Sequence, residues 1–222
     1  MLLVGSAKAR GTSTSETLGT QLMEQLAMRG VEGSVRHIQL VAHSSDTLRD
    51  FVTEVRQHDL LVIAAPIYID ALPALVTRAL EALAEDRATD PDAPPLTVAM
   101  LLNCGFPESR HAAVARTIGA LFARTAGARW AGALQLGGGG VIHGRPLAEA
   151  GHVVQHLPAL LDDTAAALAA GQSIAPETRE SFKEPLMPTA VYMAAGDAGW
   201  LWTATHEGAL TRMWERPAEA AS

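Results

Sequence analysis

The sequence is almost free of cysteine, since Cys104 is the only one among its 222 residues. One cysteine excludes a disulfide framework, a four-cysteine zinc site and a cysteine-ligated iron–sulfur cluster. Lysine is also scarce, with Lys8 and Lys183 alone, and the formal net charge is −7. A protein that binds duplex nucleic acid needs clustered basic residues to replace the phosphate counterions. We therefore expect no nucleic-acid partner.

Long apolar runs are missing as well. The longest one, at residues 60–69, is about half of the roughly 20 residues that a membrane-spanning helix needs. The first residues lack the basic segment and the long apolar stretch of a signal peptide. His152 and His156 are spaced like metal ligands but have no third ligand beside them. The sequence thus predicts a cytoplasmic protein with no membrane partner and no metal site.

Apolar residues are plentiful, at 48% of the chain against 18% charged, which is enough for a sizeable core. The length suits one domain with an extension better than two domains. We place the main domain at residues 1–171. Residues 172–222, with several prolines and three tryptophans (Trp200, Trp202 and Trp214), are expected to form a helical extension packed on it.

Short apolar runs alternate with stretches of helical spacing. The runs at 60–65 and 98–102 are apolar without alternation, as strands covered on both faces require. The pattern predicts an α/β fold with an open, doubly wound sheet of five parallel strands. We expect the strands at residues 2–5, 34–39, 60–65, 97–103 and 128–136.

Five helices are predicted between and after these strands, near residues 15–29, 46–55, 73–83, 110–125 and 160–170. Gly30 follows the first helix as a stop signal. Asp46 is the expected N-cap of the second. The last is expected to be split by Pro158, with its main part after the proline.

The loop at residues 5–15 follows the first strand and leads into a helix. Glycines permit a sharp turn, hydroxyls donate to anion oxygens, and the helix N-terminus adds free N–H groups. The glycine spacing is neither that of a P-loop nor that of the dinucleotide fingerprint. A hydroxyl-rich helix cap is the plainer alternative, but five Ser/Thr with Lys8 exceed what capping needs. The loop is typical of a phosphate site.

Three further loops follow strands at the same end of the sheet, where ligands of such folds bind. Residues 66–73 offer Tyr68 and two isoleucines between prolines, which suits a flat apolar ring or simple packing on the domain. Asn103 and Gly105 suit the edge of a heterocycle. Cys104 lacks a catalytic partner pattern and is interpreted as a small semi-buried thiol. The glycines at 137–140 form a rim that approaches a ligand or only turns.

These loops together resemble the flavodoxin-like NADPH-dependent FMN reductase family. The resemblance rests on Gly5-Ser6 with its Ser/Thr-rich turn, on Ala65-Pro66-Ile67-Tyr68 and on Pro73-Ala74-Leu75. It covers about residues 1–170 and extends to residues 103–107. The glycine-rich stretch 137–146 and the Met187-Pro188 and Gly199-Trp200 pairs are similar to a longer subgroup of flavodoxin-family oxidoreductases.

The resemblance implies a bound FMN and assigns its contacts by position. The residues expected to contact the FMN phosphate are Ser6, Lys8, Ser13, Thr14 and Ser15. Those expected along the isoalloxazine are Pro66, Ile67, Tyr68 and Ile69. Those expected at its pyrimidine side or ring face are Asn103, Gly105 and Phe106. The bound flavin would take hydride from NADPH or NADH and pass it to a quinone, a nitro or azo compound, or free flavin. No catalytic side chain is expected.

Two other functions stay open on the sequence. A flavodoxin-type electron carrier would exchange single electrons with a protein partner and would have no nicotinamide activity. A flavodoxin-like module that has lost its flavin would serve in binding or scaffolding. The extension and the modest acidity favour the reductase. Its expected partners are a nicotinamide cofactor, a small-molecule acceptor and further copies of the chain in a homodimer or homotetramer.

Overall fold

A computed structural model describes residues 1–90 and 92–212. Five strands form one sheet in which every neighbouring pair is parallel, in the order β2-β1-β3-β4-β5. This order is that of the flavodoxin-like doubly wound fold, so the predicted fold class is confirmed. The strands are β1 (Leu2–Val4), β2 (Val35–His37), β3 (Leu60–Pro66), β4 (Thr97–Asn103) and β5 (Arg129–Leu136).

Helices connect the strands and cover both faces of the sheet. They are α1 (Thr14–Ala27), α2 (Ile38–Val41), α3 (Ser45–Val55), α4 (Ala74–Ala88), α5 (Ala113–Thr125), α6 (Leu157–Ala169) and α7 (Pro176–Ser181). One more helix, α8 (Thr189–His206), follows them in the chain. A 3-10 turn at Ser109–Ala112 leads into α5. No helix within the described residues is long and apolar enough to cross a membrane.

Side chains from the central strands feed two separate cores. Along β3, Leu61 and Ile63 enter the core beneath α3, α4 and α5, whereas Val62 enters the core beneath α1 and α6. Helix α1 lies close to the sheet at Gly19, where an added Cβ would come within 2.9 Å of the Leu2 side chain. The unbroken apolar runs of the sequence therefore reflect strands that are covered on both sides.

Two helix starts differ from their predictions. Ser44, not Asp46, caps α3, because its hydroxyl accepts from the Thr47 N–H at 3.2 Å while the Thr47 hydroxyl accepts from the Ser44 N–H at 3.0 Å. Pro158 does not split α6 but lies in its first turn. N–H groups in the first turn make no hydrogen bond within the helix, so a proline, which has no N–H, is tolerated there. The predicted strand at 34–39 is shorter because α2 begins at Ile38.

The chain divides into two compact units, Met1–Leu186 and a second that begins at Met187. The predicted boundary at residue 171 falls before α7, which packs against α6 and β5 within the first unit. Ile174 donates its N–H to the Ala131 carbonyl at 2.8 Å, and Phe182 is fully buried. The second unit contains α8, none of whose side chains is buried. Trp214 lies outside the described residues.

Candidate functional site

Loops from four strands meet at the carboxyl edge of the sheet, around the switch in strand order between β1 and β3. They enclose a cleft of about 170 Å³, called the loop cleft below. It is lined by Ser6, Lys8, Ser13, Thr14, Ser15, Pro66, Ile67, Tyr68, Asn103, Cys104, Gly105, Gly139, Gly140 and His143. This edge is where open parallel sheets place their ligands.

The N-terminus of α1 forms one wall of the loop cleft. Ser13 is its N-cap, and the Ser13 hydroxyl oxygen accepts from the Glu16 N–H at 3.1 Å. The first N–H groups of any helix have no helical carbonyl to bond, which gives this end of the helix partial positive charge. Thr14 and Ser15, in the first turn of α1, both line the cleft. Ser6 and Ser15 are buried there. The wall therefore has the donors and the dipole of an anion site.

The loop between β1 and α1 is held in place by contacts outside the cleft. The Lys8 carbonyl accepts from the Gln39 side chain at 2.7 Å, and the Glu16 carboxylate accepts from the Gly11 N–H at 2.6 Å. The Glu16 carboxylate also lies 3.5 Å from His37 Nε2. These two contacts hold the carboxylate on the Gly11 and His37 side and not on the Ser13 hydroxyl. The Lys8 side chain itself is exposed at the cleft.

Asn103 lies at the floor of the cleft and connects three elements by hydrogen bonds. Its side-chain N–H donates to the Ser15 hydroxyl at 2.7 Å and lies 3.3 Å from the Ala65 carbonyl, so it joins the ends of β3 and β4 to α1. The glycine-rich loop after β5 packs directly on it. A Cβ at Gly139 would lie 3.1 Å from Asn103 Oδ1, and the Gly139 carbonyl accepts from the Thr14 hydroxyl at 2.7 Å.

A tight turn at Tyr68–Ala71 forms the outer lip. Tyr68 and Ala71 exchange backbone hydrogen bonds of 3.0 and 3.2 Å, and Ile69 and Asp70 between them both have positive φ, at 50° and 62°. Two left-handed residues in sequence define a type I′ turn. His111 fastens it, since its Nδ1 lies 2.8 Å from Asp70 Oδ1.

The lip exposes apolar surface to solvent. Ile69 is 99% exposed, Tyr68 53% and Phe106 59%. The centroids of the Phe106 and His111 rings lie 4.6 Å apart, with the rings tilted by 32°. The enclosed volume is below the roughly 300 Å³ at which ligand pockets usually begin. A ligand of ordinary cofactor size is therefore expected to extend out of the cleft and over this apolar lip.

Cys104 lies in the cleft wall but is poorly placed as a nucleophile. The residue is 4% exposed, and its Sγ lies 3.4 Å from the Phe106 carbonyl oxygen. Burial raises the pKa of the Cys104 thiol, and the nearby acids Glu108 and Asp70 raise it further. The thiolate, which is the reactive form, is thus disfavoured.

All of the residues predicted to bind FMN line the loop cleft except Ile69 and Phe106, which lie at its lip. Gly139 and Gly140, which belong to the predicted rim at 137–140, and His143 also line the cleft, although the sequence assigned no FMN contact to them. The glycine run was their only signal. His143 also has a positive φ of 50°, a conformation that the sequence does not reveal.

Comparison with solved structures finds the same fold in several oxidoreductases. An NADH:FMN oxidoreductase in its apo form is 17% identical, with 84% of this chain and 94% of that chain covered and a TM-score of 0.56. An oxidoreductase from Corynebacterium diphtheriae is 16% identical over 78% and 97% of the two chains, with a TM-score of 0.52. A flavone reductase is 12% identical over 82% and 70%, also with a TM-score of 0.52. No protein-family model and no curated protein matches the chain. At these identities the likeness establishes the fold.

Proposed function

We propose that the protein is an FMN-dependent NAD(P)H oxidoreductase. The observation that carries the proposal is the loop cleft itself, where an anion-binding helix N-terminus stands beside an apolar lip at the switch point of a flavodoxin-like sheet. FMN has this same combination of a phosphate group and a flat ring system. The structural likeness to an NADH:FMN oxidoreductase supports the assignment.

The residues of the cleft fit the parts of FMN. The phosphate is assigned to the loop before α1 and its first turn, through Ser6, Lys8, Ser13, Thr14 and Ser15. The ring is assigned to the lip and its base, through Pro66, Ile67, Tyr68, Ile69, Asn103, Gly105 and Phe106. Ser13 retains its hydroxyl proton for an anion even while its oxygen caps the helix.

When bound, FMN supplies the hydride chemistry between a nicotinamide and a small acceptor. The chain's own residues hold and shield the ring. Tyr68 and Phe106 offer exposed aromatic faces to a flat partner, and the Asp70–His111 pair keeps the lip in position. Because the buried Cys104 thiol stays protonated, it contributes packing and not nucleophilicity. A quinone, a nitro or azo compound, or free flavin suits the apolar lip as the acceptor.

An electron carrier of the flavodoxin type is the competing function, since an exposed ring edge would serve it equally. The absorbance spectrum of the purified full-length protein, followed by anaerobic addition of NADPH and then NADH, separates the two. A flavin spectrum that bleaches with either nicotinamide is expected. Bound flavin that stays oxidised with both would indicate the carrier, and failure to bind added FMN would overturn both functions.

We also propose a homo-oligomer, a homodimer or homotetramer, located in the cytoplasm. Helix α8 carries large apolar side chains that are exposed, among them Trp200 at 74% and Trp202 at 63%. These exposed apolar side chains are the surface through which we propose that a second copy of the chain binds.

A further inference from the structure

A second cleft in the first unit collects basic side chains, although the chain as a whole is acidic. This cleft of about 420 Å³, called the arginine cleft below, is lined by Ser109, Arg110, Ala113, Arg116, Ala133, Gln135, Arg179, Glu180 and Lys183. Four of these side chains are cationic and one is anionic, whereas the chain has a net charge of −7. Its walls are the 3-10 turn before α5, the first turns of α5, the edge strand β5, and α7.

Most of the positive charge in the arginine cleft is uncompensated. Glu180 forms an ion pair with Lys183, whose ammonium nitrogen lies 2.6 Å from the carboxylate. That contact lowers the pKa of Glu180, and the charge of Arg179 lowers it further. Arg110, Arg116 and Arg179 form no ion pair with any residue in 1–90 or 92–212. Three guanidinium groups that line one cleft give it a positive potential, which favours binding of an anion.

Two polar side chains in the cleft also lack hydrogen-bond partners. Gln135 is 3% exposed, and its side-chain amide, which is not fully shielded from solvent, forms no hydrogen bond within the described part of the chain. Arg179 Nε is shielded from solvent and likewise has no hydrogen-bond partner among those residues. Buried donors without acceptors are rare because they lose their water without a replacement. Both groups fit a site whose missing component is an acceptor.

The cleft borders the loop cleft without sharing residues with it. Cys104 and Gly105 line the loop cleft, and Ser109 at the other end of the same loop lines the arginine cleft, where its hydroxyl donates to the Lys183 carbonyl at 3.1 Å. Gln135 immediately precedes Leu136, whose carbonyl accepts from the Cys104 N–H at 3.0 Å. Both clefts therefore lie near the carboxyl end of the sheet.

We propose that the arginine cleft binds the phosphate or pyrophosphate group of a small molecule, separately from the FMN phosphate. Planar guanidinium groups donate pairs of N–H bonds that match phosphate oxygens, and they stay charged at every physiological pH. The amide of Gln135 adds a neutral donor from the floor of the cleft. The phosphate group belongs either to the nicotinamide dinucleotide or to a separate phosphorylated molecule.

Calorimetric titration of the FMN-saturated full-length protein with inorganic pyrophosphate at low salt tests the site. Wild-type protein is expected to bind pyrophosphate, and Arg116→Gln is expected to weaken binding about tenfold, as loss of a charge-assisted hydrogen bond does. Arg124→Gln removes the same charge from the same helix outside the cleft and is expected to change binding little. Absence of binding to the wild type, or an equal effect of the two substitutions, would overturn the proposal.

Gln135→Leu gives an independent readout. Because the Gln135 amide has no hydrogen-bond partner among residues 1–90 and 92–212, its replacement by an apolar side chain of similar size is expected to keep or raise the unfolding temperature while pyrophosphate binding falls. A lower unfolding temperature with unchanged binding would show that Gln135 serves the fold alone.

The source of the phosphate is distinguished by steady-state kinetics on the same variants. A higher KM for NADPH in Arg116→Gln than in Arg124→Gln assigns the group to the dinucleotide. An unchanged KM with weakened pyrophosphate binding assigns it to a separate molecule. Pyrophosphate binding is measured without turnover, so loss of the site and loss of reductase activity are separate results. If the protein binds no FMN, the titration is done on the Ser13→Asp variant, in which the added negative charge keeps pyrophosphate out of the anion site of the loop cleft.

Discussion

Ser13 combines two tasks that a substitution separates. Its oxygen caps α1, and its hydroxyl proton is assigned to the FMN phosphate. Asp and Asn cap helices about as well as Ser, so both Ser13→Asp and Ser13→Asn are expected to keep the unfolding temperature. The aspartate places a negative charge against the phosphate, and we expect FMN affinity to fall at least about tenfold. The neutral Ser13→Asn variant should bind FMN nearly as the wild type does. Fluorescence titration with FMN measures both, and equal affinities for the two variants would show that the phosphate lies elsewhere.

His58 makes the stability of the fold depend on pH. Burial lowers the pKa of His58 below its usual 6.5, and the nearby N-terminal ammonium lowers it further. The unfolded chain therefore takes up a proton at a higher pH than the folded chain does. The contribution of His58 to stability is complete above about pH 6.5 and is lost as the pH falls through the lowered pKa.

His58→Gln is accordingly expected to flatten the fall of the unfolding free energy just below pH 6.5. Chemical denaturation at a series of pH values measures the slope. The matched control is His43→Gln, the same replacement at an exposed histidine. A slope that is unchanged by His58→Gln, or changed equally by both substitutions, would contradict this origin of the pH dependence.

At the scale of elements, the sequence predicts the order and type of the main strands and helices but not their ends. The apolar run at 60–65 and the helical spacing after it leave one consistent fold, because a parallel sheet needs covered strands and crossover helices. Helix ends depend on competition between neighbours. Ser44 and Asp46 are both good caps, and only the reciprocal hydrogen bonds with Thr47 favour Ser44.

The Tyr68–Ala71 turn stores strain at the lip of the loop cleft. Ile69 has a φ of 50°, and a β-branched residue there has a steric cost of about 1–2 kcal/mol. Ile69→Gly removes that cost, and we expect the unfolding free energy to rise by up to about 1 kcal/mol, since glycine gives part of the gain back as chain entropy. Ile69→Val keeps the branch and should leave stability unchanged.

The same two variants, Ile69→Gly and Ile69→Val, test whether the strained turn serves binding of the electron acceptor. If the exposed Ile69 side chain contacts the acceptor, Ile69→Gly raises the KM for a quinone or azo acceptor more than the KM for the nicotinamide. Thermal unfolding and steady-state kinetics give the two readouts. An Ile69→Gly variant that is less stable than the wild type and has unchanged KM values would show that the turn is neither strained nor needed for acceptor binding.

At the scale of the whole molecule, the sequence predicts which loops meet at the site but not the contacts between those loops. Asn103 ends β4 and Tyr68 lies just after β3, and parallel strands bring such ends together. Gly139 reaches the site because the loop after β5 returns to α1, where Thr14 contacts it across 125 residues of sequence separation. That return is a property of tertiary packing. The arginine cleft is of the same kind, since Arg116 and Arg179 come from elements that only the fold brings together.

The division of the chain into two units predicts which part suffices for FMN binding. Every member of both cores, and every residue lining the loop cleft, lies within Met1–Leu186. A chain ending at Leu186 is therefore expected to unfold cooperatively and to bind FMN with near wild-type affinity. It lacks α8 with Trp200 and Trp202, so light scattering during size-exclusion chromatography should show a smaller assembly than the full chain forms. A shortened chain that keeps the full oligomeric state would exclude α8 as the interface, and one that folds but binds no FMN would show that residues after Leu186 complete the site.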